Sequence, residues 1–278
     1  MALERAHAIL QLGDLAVRKE GEEGDSDGGG GLDREQEQEG AEEKAGSWVV
    51  HADDGSHGTL RSNCGTAIAL APSMSSRMKR EDFDRLLLAD DSAEAVRSAV
   101  ADGSLDALIP EIRREMDVPQ RTHYHQYTVL EHSLRTMALM PPKIDERLAG
   151  LFHDIGKRRT TTIKERTGEE QYIGHAGAGA RMVRPILERL GYDRALVDRV
   201  VRWIERHMDL HMAARDGHSL KARRKLLGRL GEDLEVLQRL QLADIATMAP
   251  ETAEEKGRQA REYQRMLEET AAPSEASR

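Results

Sequence analysis

Aromatic side chains make up only 3% of the 278 residues, so a core must be assembled from Leu, Ile, Val, Met and Ala. Those side chains suit packed helices better than sheets, which predicts an all-α fold. A single cysteine, Cys64, excludes an internal disulfide. No continuous apolar stretch is long enough to span a bilayer or act as a signal segment, so a cytoplasmic protein without membrane contact is expected. An excess of positive charge is also missing. The formal net charge of -9 argues against a general nucleic-acid surface and leaves RNA as a disfavoured partner, although local patches such as Lys157, Arg158 and Arg159 survive in an acidic average. The length allows one ordinary domain plus less ordered sequence.

Residues 18–45, rich in Gly and Glu and nearly devoid of apolar side chains, cannot bury enough surface to offset chain entropy. Residues 1–77 are therefore expected to be a mostly disordered acidic extension, with weak β character in "SWVV" and "TAIALA". Met74 or Met78 is a candidate physiological start, which intact-mass analysis of the native protein would check. From Met78 the pattern becomes helix after helix, giving an expected helical domain over 78–250 and a charged helix and tail over 251–278. Asp90-Asp91, Gly103 and Pro110 punctuate the first helices. Thr128 and Glu131 read as a capping box opening a helix to Met140. Ile144, Leu148, Leu151, Phe152 and Ile155 form the stripe of the next, with Gly156 as its stop. Further helices are expected from His175 to Leu190, from a cap at Asp193 along Leu196, Val197, Val200, Val201, Ile204 and Met208, over Leu220–Leu230, and over 233–248.

The segment "LFHDIGKRRT" places Asp154 near a helix C-terminus, where the macrodipole disfavours an anion, and just after an apolar turn. A salt bridge to Lys157 or an arginine would satisfy it, and His153 alone reads as a hydrogen-bonded core histidine. The set changes that reading. His132 lies on a helix with few charges, His207 shares a stripe with Val200 and Ile204, His211 follows one turn on, and Asp244 shares a face with Leu237, Leu240 and Met248. Imidazoles and carboxylates at interior positions on separate helices share one economical partner, a divalent cation. His132, His153, Asp154 and Asp244 form a candidate site for one ion. His175 and His207 form a candidate site for a second, with Asp154 bridging. Mn²⁺, Mg²⁺, Ni²⁺, Fe and Zn²⁺ all suit such mixed ligands.

The order His132, His153-Asp154, Asp244 resembles the H…HD…D signature of the HD-domain metal-dependent phosphohydrolases, and "HDIGK" is a common form of its central motif. His175 and His207 are similar to the extended pattern of two-metal members. Within that superfamily "DALIPEI", "YHQYTVLEHSL", "LAGLFHDIGK" and "GHAGAGARMV" resemble, in order, the HD region of bacterial tRNA nucleotidyltransferases and poly(A) polymerase relatives, over about residues 90–250. The resemblance implies a compact HD-type helical bundle. It does not reach the polymerase head, whose only candidate metal pair here is Asp25-Ser26-Asp27 in the Gly/Glu tract, so CCA addition is rejected for this chain alone. Thr128 and Ala176 stand where relatives commonly carry Asp and Glu.

These readings predict metal-dependent hydrolysis of a phosphomonoester or phosphodiester, with a phosphorylated small molecule or nucleotide as substrate and metal-activated water as nucleophile. Lys157, freed by Gly156, is expected to swing toward the phosphate. Arg158, Arg159 and Arg181 are candidate helpers, and His125 and His211 candidate substrate contacts. His51, His57 and Cys64 read as incidental. The alternatives are a non-catalytic metal or nucleotide-binding regulatory module and an RNA-processing accessory related to the tRNA enzymes.

Overall fold

The computed structural model describes residues 78–216 and 218–271, together with strands β1 (Leu60–Arg61) and β2 (Ala67–Ile68). The chain divides into two units. In the smaller, spanning residues 23–76, β1 and β2 pair antiparallel with Leu60 opposite Ile68. The Gly/Glu tract, His51, His57 and Cys64 lie outside the described residues.

Among its described residues, the larger unit has helices and one short hairpin as its regular structure. It opens with α1 (Arg80–Leu88) and α2 (Ser92–Ala101), followed by a single π-helical turn at Ile112–Met116. Then come α3 (Val129–Leu139), α4 (Ile144–Phe152) and the short α5 (Lys157–Thr160). The polar connection around Gly168 is a hairpin rather than a loop: β3 (Thr162–Ile163) pairs antiparallel with β4 (Glu170–Gln171). Helices α6 (His175–Arg189), α7 (Arg194–Arg206), α8 (Met208–Asp216), α9 (Leu220–Leu230), α10 (Leu234–Ala246) and α11 (Pro250–Ala271) complete it. None of these helices is long and apolar enough to cross a membrane.

Two apolar clusters share α4 between them. Phe83, Leu87, Leu134, Leu148, Leu151, Phe152, Val183, Val200 and Ile204 belong to the first. Ala149 joins Trp203, Leu210, Leu237, Leu240, Tyr263 and Leu267 in the second. Every residue of α4 from Glu146 to Phe152 is buried, as expected of a helix enclosed on all sides. The two charges within that buried stretch are both answered: Glu146 pairs with Arg239 at 2.9 Å and Lys143 at 2.9 Å, and Arg147 donates to the Pro141 carbonyl and to Ser92. Gly150 lets α4 approach α3 closely, since a Cβ there would sit 2.8 Å from the Met137 Cα. The central helix therefore delivers whatever follows Phe152 into the interior of this unit.

Several local expectations change. Thr128 caps α3 by accepting from the Glu131 amide at 3.1 Å, but the reciprocal half of the capping box is absent because Glu131 pairs with Arg97 and Arg135 instead. Asp193 caps α7 through the Leu196 amide at 2.9 Å. That helix stops at Arg206 rather than running through Met208, and His207 occupies the break. Gly156 is not a helix stop: α4 has already ended at Phe152, and the Gly156 backbone is right-handed with φ -76°. What Gly156 provides is close approach. A Cβ would fall 2.2 Å from the His175 carbonyl oxygen and 2.5 Å from the Gly179 nitrogen, which locks the turn after α4 against the start of α6. The charged C-terminal helix docks on the body, burying Ala260, Tyr263 and Leu267.

Candidate metal centre

The turn following α4 carries His153 and Asp154, both almost fully buried. His132 arrives from the first turns of α3, Asp244 from the end of α10, His175 from the start of α6, and His207 from the break between α7 and α8. Their ligand atoms converge. His132 Nε2 lies 2.9 Å from Asp244 Oδ1 and 3.4 Å from Asp154 Oδ2, and His153 Nε2 lies 3.2 Å from the same Asp154 oxygen. The other Asp154 oxygen, Oδ1, is 3.3 Å from His175 Nε2 and 3.9 Å from His207 Nε2. The two imidazole nitrogens of that second group are 3.1 Å apart. Asp154 thus faces both groups with different oxygens, the arrangement of a bridging carboxylate.

The donor set fits a metal. Within each of the two groups, His132, His153, Asp154 and Asp244, and Asp154, His175 and His207, one ligand atom per residue lies within 4.8 Å of all the others. His132 Nε2 and His153 Nε2 are buried without a hydrogen bond, although Asp154 Oδ2, the ion-pair partner of Lys157, stands close to both. Such orphaned polar atoms are costly unless something takes up their lone pairs. The rings are also oriented for ligation. The Nδ1 atoms of His153, His175 and His207 lie 2.8, 2.7 and 2.7 Å from the carbonyl oxygens of Gly150, Tyr172 and Ile204, each three residues back. A carbonyl only accepts, so Nδ1 carries a proton and Nε2 is the nitrogen turned toward the cluster. For His132 the acceptor is the Thr247 hydroxyl at 2.9 Å, which itself donates to the Asp244 carbonyl.

Electrostatics point the same way. Burial raises the Asp154 carboxyl, but His153 and Lys157 outweigh it and hold it well below the usual range. Asp244 is likewise held low, with His132, His153 and His211 overcoming burial. Burial lowers His153, yet the two carboxylates push it up to about 10. The interior demands positive charge, and a dication supplies it.

Lys157 points into the cluster in this structure. It is 5% exposed, with Nζ 2.6 Å from Asp154 Oδ2 and 2.7 Å from Gln120 Oε1. His125 joins it, Nε2 standing 3.3 Å from the Lys157 ammonium, and burial together with that ammonium lowers its imidazole to about 2. His211 lies within the cluster rather than beyond it, Nε2 being 3.0 Å from Asp244 Oδ2. Arg158 is exposed and donates to the Arg114 carbonyl, and Arg159 pairs with Glu115 at 2.6 Å. Arg181 is exposed on α6, its guanidinium lying back toward Gly177, so the structure does not bring it to the cluster.

Sequence reasoning missed Gln120, Tyr172, Thr247 and Lys256. The Tyr172 ring lies 5.3 Å from Lys157 Nζ while its carbonyl holds His175. Thr247, three residues after Asp244, had a local signal in its spacing. Lys256 extends from α11 over the Tyr124 ring at 4.9 Å, and burial lowers its ammonium although Asp244 pulls the other way. Nothing in the sequence pairs those two.

A helical bundle with a buried, bridged His/Asp ligand set defines a metal-binding class of protein. Residues 129–249, which contain all six converging His and Asp residues, match the HD domain family, and the chain carries an HD domain over that span. The A-adding tRNA nucleotidyltransferase of Deinococcus radiodurans is 32% identical over 184 residues, 64% of this chain and 41% of that protein. The CC-adding tRNA nucleotidyltransferase of Thermus thermophilus is 33% identical over 135 residues, 47% of this chain and 31% of that protein. The bifunctional uridylyltransferase/uridylyl-removing enzyme of Phenylobacterium zucineum is 32% identical over 117 residues, 38% of this chain and 12% of that protein. The chain thus spans less than half the length of each of these relatives, matching the tRNA enzymes in their HD region without the polymerase head.

Proposed function

We propose that this chain hydrolyses a phosphomonoester or phosphodiester, nucleotide-related in kind, at the centre built by His132, His153, Asp154, His175, His207 and Asp244. The observation that carries this reading is the convergence of buried imidazole nitrogens without hydrogen bonds on Asp154, beside a lysine whose ammonium is fixed on the same carboxylate. When bound, a divalent cation supplies Lewis acidity toward a phosphoryl oxygen and toward water. The remaining work falls to the protein. Asp154 and Asp244 against Lys157 leave one negative charge, which a single dication reverses, so the loaded centre attracts an anionic substrate. Lys157, preorganised by Asp154 and Gln120, offers a fixed positive charge where phosphoryl charge develops. His125 stays neutral at physiological pH and contacts the substrate as a hydrogen-bond partner rather than a cation. Arg158, on the exposed side of Lys157, meets the outer part of the substrate. His211 acts through Asp244, and Arg181 is left without a role in the centre.

The functional domain in this reading runs over 78–250 with α11 packed on it, in a cytoplasmic setting that suits a chain with one cysteine. Similarity to an enzyme named for uridylyl removal agrees with cleavage at a nucleotidyl ester. The test is metal content of the purified protein, followed by hydrolysis of generic phosphomonoester and phosphodiester substrates with Mn²⁺ or Ni²⁺. Turnover that disappears with Asp154→Ala supports the reading, and full metal content and activity in that variant would end it. Similarity to two tRNA nucleotidyltransferases favours a second reading, an accessory acting on RNA. Its mark is tRNA binding that weakens steeply with salt.

A further inference from the structure

Beside Lys157 lies a cavity of 230 Å³ that none of the ligand residues lines. Val118, Pro119 and Val129 contribute apolar walls, and Arg121, Arg158, Glu170 and Tyr172 contribute polar ones. Its size decides what kind of group it takes. Pockets that enclose a whole small ligand run to about 300–1,000 Å³, so this one fits an end group and not an entire nucleotide.

The charges decide the chemistry. Glu170 is already committed: its Oε2 accepts from the Tyr172 hydroxyl at 2.7 Å and from the Arg121 amide at 3.0 Å. Lys157 is committed to Asp154. Neither arginine makes an ion pair among the described residues. Arg158 donates to the Arg114 carbonyl, and Arg121 and Arg158 act only at longer range on Glu170 and Glu115, so the lining of Arg121, Lys157, Arg158 and Glu170 keeps more positive than negative charge. Two guanidinium groups lining one concavity form the donor fork that matches phosphate oxygens. Tyr172 ties this cavity to the centre, because its ring borders the cavity and also lies 5.3 Å from the Lys157 ammonium.

We infer that the Arg121–Arg158 cavity is a second anion subsite, and that the substrate carries a second phosphate beyond the one held at the metal centre. This rests on the phosphoester reading and narrows it: a nucleoside monophosphate fills only half of the paired site. A nucleoside bisphosphate or a short oligonucleotide fills both halves.

The experiment uses non-hydrolysable probes on the Mn²⁺-loaded full-length chain. Methylphosphonate reports the centre alone, and α,ω-alkane diphosphonates of increasing chain length report both sites, with affinities read by isothermal titration. At one chain length the diphosphonate binds at least tenfold tighter than methylphosphonate. Arg121→Ala removes that gain and leaves methylphosphonate binding unchanged, while Arg121→Glu makes the second phosphonate unfavourable. A gain that survives both substitutions is chelation of the metal and overturns the subsite, as does the absence of a gain at every length. If methylphosphonate itself fails to bind, the phosphoester reading beneath the subsite falls with it.

Discussion

Gly156→Ala adds one methyl group where two backbones meet. The new Cβ would lie 2.2 Å from the His175 carbonyl oxygen and 2.5 Å from the Gly179 nitrogen, against an ordinary contact of 3.4 Å or more. Both obstacles are main-chain atoms, so no side chain can rotate away, and the first turn of α6 must retreat by about 1 Å. Overpacking of this kind costs about 1–3 kcal/mol. For a domain of this size that lowers Tm by about 2–12 °C, at ~2–4 °C per kcal/mol. The same retreat moves His175 Nε2 from its place 3.3 Å from Asp154 Oδ1. A shift of about half a metal–nitrogen bond length, ~2.0–2.1 Å, should weaken metal uptake by the Asp154, His175 and His207 group at least tenfold. The Asp244 side should change less. Gly228→Ala is the control: nothing lies within 4 Å of a Cβ there, and the residue sits inside exposed α9. It should gain about 0.5–1 kcal/mol from helix propensity. Calorimetry and metal analysis of both variants decide the matter. A Gly156→Ala protein with wild-type Tm and wild-type metal content would refute the claim that this backbone contact positions His175.

Two further outcomes are expected. Thr247→Val takes away the acceptor of His132 Nδ1, freeing the ring to turn and change tautomer, and metal affinity measured by chelator competition should fall by about 10–100-fold. Asp233, whose carboxylate takes hydrogen bonds from Arg202 at 2.6 Å and the Trp203 indole at 2.7 Å, is held below the usual range because those partners outweigh burial. A depressed carboxyl contributes stability above its unfolded pKa of about 3.9 and loses it as pH falls through the lower folded value. Asp233→Asn should therefore cost about 2–3 kcal/mol at pH 7, less than a fully buried pair because Arg202 is partly open. Urea midpoints of the two proteins should converge only below about pH 4. A gap that closes between pH 5 and pH 7 would contradict the assignment.

The parts of the fold that repeat a pattern were legible in the sequence. The stripe from Ile144 to Phe152, the Asp193 cap and the helix from His175 to about Leu190 each report a period or a terminus, and those elements form where expected. The converging His and Asp residues were legible for a related reason: imidazoles and carboxylates are conspicuous on apolar faces. What the sequence concealed depends on distance. Gly156 reads as a helix stop because its true constraint, the backbone of α6, is far along the chain. Lys157 reads as a mobile clamp because its partner Gln120 is thirty-seven positions away. The break at His207 is invisible to periodicity, since Met208 continues the same stripe. The β3–β4 hairpin has strands of two residues each, too short to show alternation.

Three of the converging imidazoles take their orientation from peptide carbonyls rather than from side chains. A carboxylate in that supporting role can be lost by one codon change, whereas a carbonyl is supplied by whatever residue occupies Gly150, Tyr172 or Ile204. The tautomers of His175 and His207 are thereby insulated from side-chain substitution at Tyr172 and Ile204, whereas at Gly150, which supports His153, a Cβ would press on the Met137 backbone. All three answer only to changes that bend the backbone. Variation can then accumulate in the cavity proposed as an anion subsite, around Arg121 and Arg158, without disturbing how the cluster presents its nitrogens. A site arranged this way separates the part of the protein free to acquire new substrates from the part that must stay constant.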